Sequence, residues 1–228
     1  MSNAPGAKVP TRRESRKQDR RQAILEAARA SFMEKGYEGT SMSGLLETLG
    51  GSKATLWSYF RSKEELFAAM LDDAVVEHRA ALLDCLEPTG DLFESLTVFC
   101  SRFLEKLSSH DSLALWRLVA AESARNPEIG RIFYERAPQR IEQGLTAFIG
   151  RHMGTGELRP DDPLRAARVL ISLCTGRQHR IIWGVASTDA AAIAADAALA
   201  VEVFVRAYAA EDVRPERPQA RRNIDPIA

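Results

Sequence analysis

Three observations predict an all-α fold for this sequence. Apolar residues recur with the 3.6-residue period of a helix through nearly every segment between residues 16 and 210. No stretch of convincing length alternates apolar and polar residues as a strand would. Residues that start and stop helices punctuate the segments, among them Gly36, Thr40-Ser41, Ser62 with Glu65, and Asp162-Pro163. With 228 residues, 45% of them hydrophobic, the chain is long enough for a small helical module beside a larger one.

Each element can be justified in order. Residues 1 to 14 hold Pro5, Gly6 and Pro10 and almost no bulky apolar side chain, so they are expected to form a disordered basic arm. A first helix is expected over residues 16 to 35, with Ile24, Ala27, Ala28, Ser31 and Phe32 on one face and Gly36 in the C′ position. The second follows a Thr40-Ser41 cap and turns Met42, Leu45, Leu46 and Leu49 inward. Gly50-Gly51 permits a sharp turn, after which Ser52 caps a third helix whose Leu56 and Phe60 form the inner stripe. That leaves Lys53, Thr55, Ser58 and Tyr59 facing outward. Ser62 and Glu65 make a capping box for a long fourth helix through Leu66, Phe67, Met70, Leu71 and Val75, ended by Pro88-Thr89-Gly90. Five more helices follow over residues 91 to 107, 112 to 125, 127 to 151, 162 to 184 and 189 to 210, with a kink or break expected near Ala137, ahead of Pro138. The domains expected are thus the arm, a three-helix domain over 15 to 62, a helical domain over 63 to 211, and a disordered tail over 212 to 228.

Charge and cysteine usage narrow the function classes. Formal charge is zero overall, yet residues 1 to 63 carry 12 Lys/Arg against 6 Asp/Glu, leaving 19 against 25 for the rest. A basic end on an acidic body suits a molecule that meets phosphates at one end, although a solvated basic tail produces the same asymmetry. Cys85, Cys100 and Cys174 are odd in number and widely spaced, which indicates neither a disulfide framework nor a zinc site. No metal and no resident cofactor are expected. The polar, basic N-terminus and the lack of an 18-residue apolar run point to a cytoplasmic protein without a membrane span. His78, His110, His152 and His179 lie far apart, and no HExxH, GxSxG or phosphate loop is present, so the chain is not expected to be an enzyme.

The segment from Arg21 to Leu71, two short helical patterns about a tight glycine turn, reads as a helix-turn-helix. Its residues carry a resemblance. Ile24-Leu25-Glu26-Ala27-Ala28, Phe32-Met33-Glu34-Lys35-Gly36-Tyr37, Thr40-Ser41-Met42, Ser52 through Phe60 and Ser62-Lys63-Glu64-Glu65-Leu66 resemble, in order and spacing, the DNA-binding domain of TetR-type (TetR/AcrR) transcriptional repressors. Two positions depart from that pattern. Leu49-Gly50-Gly51 stands where the family usually has Ala-Gly-Val, and Trp57 stands where it usually has Tyr.

On a helix entering the major groove, the first residues approach bases, which assigns Lys53, Ala54 and Thr55 to base edges. The resemblance implies phosphate contacts for Trp57, Tyr59 and Lys63; Thr40 and Ser41 add donors at the second helix N-terminus, and Ser52 and Ser58 complete the exposed set. It also implies a C-terminal helical domain that binds a small effector and dimerises. Phe99, Phe103, Trp116, Arg117, Phe133, Tyr134, Gln178, His179 and Trp183 are the candidate lining of a pocket for a small, largely apolar ligand, though each aromatic taken singly reads more readily as plain core. The last two helices, with Leu170, Ile171, Leu173, Ile181, Ile182, Leu199, Val203 and Phe204, hold more apolar surface than one face must bury. Family analogy places a homodimer there. The function expected is a ligand-released repressor on a palindromic double-stranded DNA operator; the alternative is a helical protein–protein adaptor whose basic end serves solubility.

Overall fold

The structure, a computed structural model, describes residues 11–50, 52–86 and 91–210, with Glu77 by its backbone alone. Ten α-helices occur among the described residues: α1 (Arg12–Gly39), α2 (Met42–Leu49), α3 (Lys53–Tyr59), α4 (Lys63–Asp84), α5 (Leu92–Ser108), α6 (His110–Ser123), α7 (Pro127–Arg136), α8 (Pro138–Gly154), α9 (Pro163–Ile182) and α10 (Ala190–Tyr208). An isolated antiparallel bridge joins Leu158 to Ala209, and no strand is present among the described residues. The chain is all-α, as its periodicity indicates.

Local signals set most boundaries. Ser41, Ser52, Asp91, Asp162 and Asp189 each occupy an N-cap with a side-chain oxygen accepting a backbone N–H of the first turn. The expected helix over 127 to 151 is two, because Pro138 lacks an N–H and excludes helical backbone at Ala137, which takes φ −120° and ψ −76°. The start of α1 needs correction. Thr11 Oγ1 accepts the Glu14 N–H at 3.3 Å while the Glu14 carboxylate accepts the Thr11 N–H at 2.7 Å, a capping box that places residues 11–14 in an ordered turn rather than in the arm. Residues 1–10 and 211–228, expected to be disordered, lie outside the described residues.

Gly36 breaks α1 as anticipated, but in a different conformation. Its φ of +76° and ψ of 174° lie in a region open essentially to glycine, not in the left-handed helical C′ geometry. A Cβ there would also sit 3.0 Å from Glu122 Oε1. Gly36→Ala is therefore expected to destabilise the fold by about 1–3 kcal/mol. Thermal unfolding followed by circular dichroism checks this, with a melting temperature several degrees lower as the expected result.

Packing divides the chain into two compact units, Met1–Ala80 with His110–Arg140, and Ala81–Ser109 with Ile141–Ala228. This is not the division at residue 63 expected from sequence. The first core joins Ile24, Leu25, Ala28, Phe32, Tyr37, Leu45, Leu56, Phe60 and Phe67 to Leu115, Val119, Ile129 and Ile132, so α6 and α7 complete a core that three short helices are too small to close. Phe32, Tyr37 and Phe67 form its aromatic centre, with ring centroids 5.2–5.6 Å apart. An Arg29–Asp111 ion pair at 2.5 Å also joins α1 to α6. The second unit has its own core of Leu96, Phe99, Cys100, Leu145, Phe148, Leu170, Cys174 and Phe204 with their neighbours.

Candidate nucleic-acid interface

The helix-turn-helix consists of α2, α3 and the turn between them, of which Gly51 lies outside the described residues. Leu56 and Phe60 are buried, and this fixes the roll of α3 against the core. Lys53, Ala54, Thr55 and Ser58 are consequently exposed together, and Trp57 beside them retains 38% of its accessible surface. Ser52 Oγ accepts the Thr55 N–H at 3.2 Å and shares a 2.9 Å hydrogen bond with Thr55 Oγ1. The Ser58 hydroxyl donates to the Thr55 carbonyl at 2.7 Å. With its hydroxyl engaged locally, Thr55 offers an outside partner chiefly its methyl group, while the Lys53 ammonium has no ion pair among the described residues. Ser41 is exposed, its Oγ occupied by the Gly44 N–H.

Three residues assigned to DNA on sequence grounds sit differently. Thr40 is only 1% exposed; its hydroxyl donates to the Gly36 carbonyl at 2.9 Å and shares a hydrogen bond with Ser31, so it braces the α1–α2 junction. Tyr59 is half-buried against the first core. Lys63 donates to the Tyr37 carbonyl at 2.9 Å and lies 4.2 Å from the centroid of the Tyr37 ring.

Tyr37, which sequence reasoning passed over, is a junction for the whole module. Its N–H donates to Glu122 at 3.1 Å and its hydroxyl to Glu64 at 3.0 Å. Burial, then the hydrogen bond to Glu64, holds its phenol protonated far above the ordinary range. The sequence carries no signal for contacts that join residues 85 apart.

Basic residues extend this surface along α1. Arg12, Arg13, Arg16 and Lys17 are exposed, on the first turns of α1 rather than on a loose arm. Arg21 packs its guanidinium over the Phe60 ring at 5.5 Å. Arg20 turns toward the helix-turn-helix and donates to the Gly50 carbonyl at 2.6 Å.

The proposed effector residues do not share one unit. Trp116, Arg117, Phe133 and Tyr134 belong to the first, where Phe133 packs against its core; Phe99, Phe103, Gln178, His179 and Trp183 belong to the second. Phe99 and Phe103 stack at 5.5 Å within the core, and Gln178 is buried with its amide donating to the Leu107 carbonyl. Trp183 stacks on His179 yet is 72% exposed. On α9 and α10 the residues expected for dimerisation also separate. Leu170, Ile181 and Phe204 are buried internally, whereas Leu173, Leu199 and Val203 face outward, Leu199 at 55% exposure, with Val169 exposed beside Leu173. No helix among the described residues is long and apolar enough to cross a membrane.

Comparison with known proteins agrees with this geometry. A family model described as bacterial regulatory proteins, tetR family, matches residues 24–70, and one described as AefR-like transcriptional repressor, C-terminal domain, matches residues 94–210. The HTH-type transcriptional repressor AcnR of Corynebacterium diphtheriae is 30% identical, covering 64% of this chain and 71% of that protein. Among solved structures, the flavonoid-responsive regulator FrrA is similar with a TM-score of 0.73 and 30% identity, over 85% of this chain and 99% of that one. A TetR-family transcriptional regulator from Mesorhizobium loti has the same TM-score at 26% identity, over 88% and 100%.

Proposed function

The chain belongs to the TetR family of bacterial DNA-binding transcriptional regulators, and from that premise we propose that it is a homodimeric repressor released from a palindromic operator by a small molecule. The carrying observation is the outward face of α3. Lys53, Ala54, Thr55, Trp57 and Ser58 lie together on a helix whose other side is anchored by Leu56 and Phe60, beside a helical run of exposed cations. In this reading Lys53 donates to a guanine edge, and Ala54 and the Thr55 methyl touch thymine methyls. The Trp57 indole N–H and the Ser58 and Ser41 region face the phosphates that set register. Thr40, Tyr59 and Lys63 support the module from within.

One α3 supplies too few base contacts for an operator, so two are required, about 34 Å apart or a multiple of it. The apolar surface of Val169, Leu173, Leu199 and Val203 is the face we assign to the second copy, forming a four-helix contact from α9 and α10 of each protomer. An effector bound in the helical body acts through α4, whose displacement changes the spacing of the two α3 helices. A coupling of about 1–3 kcal/mol reduces operator affinity about 5- to 150-fold. That FrrA is flavonoid-responsive supports an effector that is small and largely apolar.

Capture of genomic fragments by the purified protein tests the reading. An inverted repeat should be enriched, and addition of an organic extract of small molecules should release it. Capture of no shared sequence, or capture indifferent to every extract fraction, rules out the repressor or its effector control respectively.

A further inference from the structure

We propose that Arg20 is a positioning residue, which fixes the turn between α2 and α3 and thereby the aim of the recognition helix; this rests on the DNA-binding reading above. Its guanidinium reaches from α1 across 29 residues of sequence, with both terminal nitrogens donating to the Leu49 carbonyl at 3.4 Å and one donating to the Gly50 carbonyl at 2.6 Å. These carbonyls end α2, where the last turn has no intrahelical donors and the helix dipole is negative, so a cation there meets both needs.

The turn gives such a clamp something to do. Gly50 takes φ +62° and ψ 163°, a conformation with little intrinsic preference, and Gly51 follows it. With no side chain at Gly50 to pack, the turn itself adds little to what the burial of Leu56 and Phe60 fixes. Within the helix-turn-helix, the Gly50 N–H to Leu46 bond of 2.9 Å and the Ser52 cap hold the two helix ends separately. Arg20 ties the Leu49 and Gly50 carbonyls to a third element, α1, which is itself anchored by Ile24, Leu25 and Ala28.

An arginine beside a DNA-reading helix also suits a phosphate, and the two roles separate in experiment. A phosphate contact attracts every sequence equally and contributes to the salt dependence; a positioning residue does neither. Operator and scrambled DNA are titrated with wild type and Arg20→Ala by fluorescence anisotropy across a salt series. Positioning predicts that operator affinity falls about tenfold or more while scrambled-DNA affinity and the salt slope stay at wild-type values. Equal losses on both DNAs, with the slope falling by about two per dimer, overturn the proposal, as does unchanged operator binding. Should Arg20→Ala melt below the assay temperature, Arg20→Lys carries the same test. Lysine keeps the charge but is shorter and lacks the planar pair of nitrogens that both reach the Leu49 carbonyl here, so operator preference should recover only in part; complete recovery contradicts the clamp. Wild type that selects no operator overturns the DNA-binding reading itself, whereas a variant indistinguishable from wild type on a true operator overturns the clamp alone.

Discussion

Replacing Lys53 and Thr55 together by alanine is expected to abolish discrimination between the operator and unrelated DNA while leaving the protein folded. Both side chains are exposed, and the core beneath α3 is made by Leu56 and Phe60, so stability should not move by more than about 0.5 kcal/mol. Removing one side chain from a base edge weakens binding by about 1–3 kcal/mol, and a two-fold symmetric complex suffers the change in both half-sites. Two side chains lost in each of two half-sites come to about 4 kcal/mol or more, so operator affinity should fall by roughly three orders of magnitude or more, and the bases facing Lys53 should become interchangeable. Anisotropy titrations against the operator and single-base variants provide the check. An adaptor with an idle basic end predicts full tolerance of both substitutions.

The second large effect is expected on α10, in the other unit of the chain. Leu199→Glu with Val203→Glu places four carboxylates across a two-fold contact, burying like charges where apolar surface now faces outward. The inner side of α10, formed by Ala197, Ala200, Val201 and Phe204, is untouched, so the second unit should keep its fold. Light scattering should then report 25.2 kDa, one chain, where wild type reports twice that mass. Operator binding should drop to the level of a single half-site, a loss of orders of magnitude. A variant that remains dimeric shows that another face carries the assembly.

What could be read from the sequence was what is encoded locally. Ser41, Ser52, Asp162 and Asp189 announce helix starts because a cap satisfies backbone donors two or three residues ahead, and Pro138 splits a helix through its immediate neighbour. The outward placement of Lys53, Thr55 and Ser58 followed from the spacing of Leu56 and Phe60 alone, while Tyr59, placed outward with them, is half-buried against the core. The start at Thr11 was equally encoded, by Thr11 and Glu14 at capping-box spacing, but the surrounding prolines and cations suggest an arm instead. Partners distant in sequence were not legible. The apolar faces of α6 and α7 show that Leu115, Val119, Ile129 and Ile132 are buried, but periodicity does not say against what, and they pack against the first core. The same limit hid the Tyr37–Glu122 and Arg20–Gly50 bonds, and it made Thr40 and Lys63 read as DNA contacts when their polar atoms are engaged by Gly36 and Tyr37. Aromatic residues chosen as one effector pocket likewise divide between two units.

The central claim is that α3 enters the major groove twice, once from each protomer. Hydroxyl-radical footprinting of the captured operator at moderate ionic strength measures this directly. Two protected half-sites related by inversion, with centres about one helical turn of 34 Å or a small multiple apart, are the predicted result. A single unsymmetric footprint, or protection that vanishes uniformly with salt and favours no sequence, contradicts it.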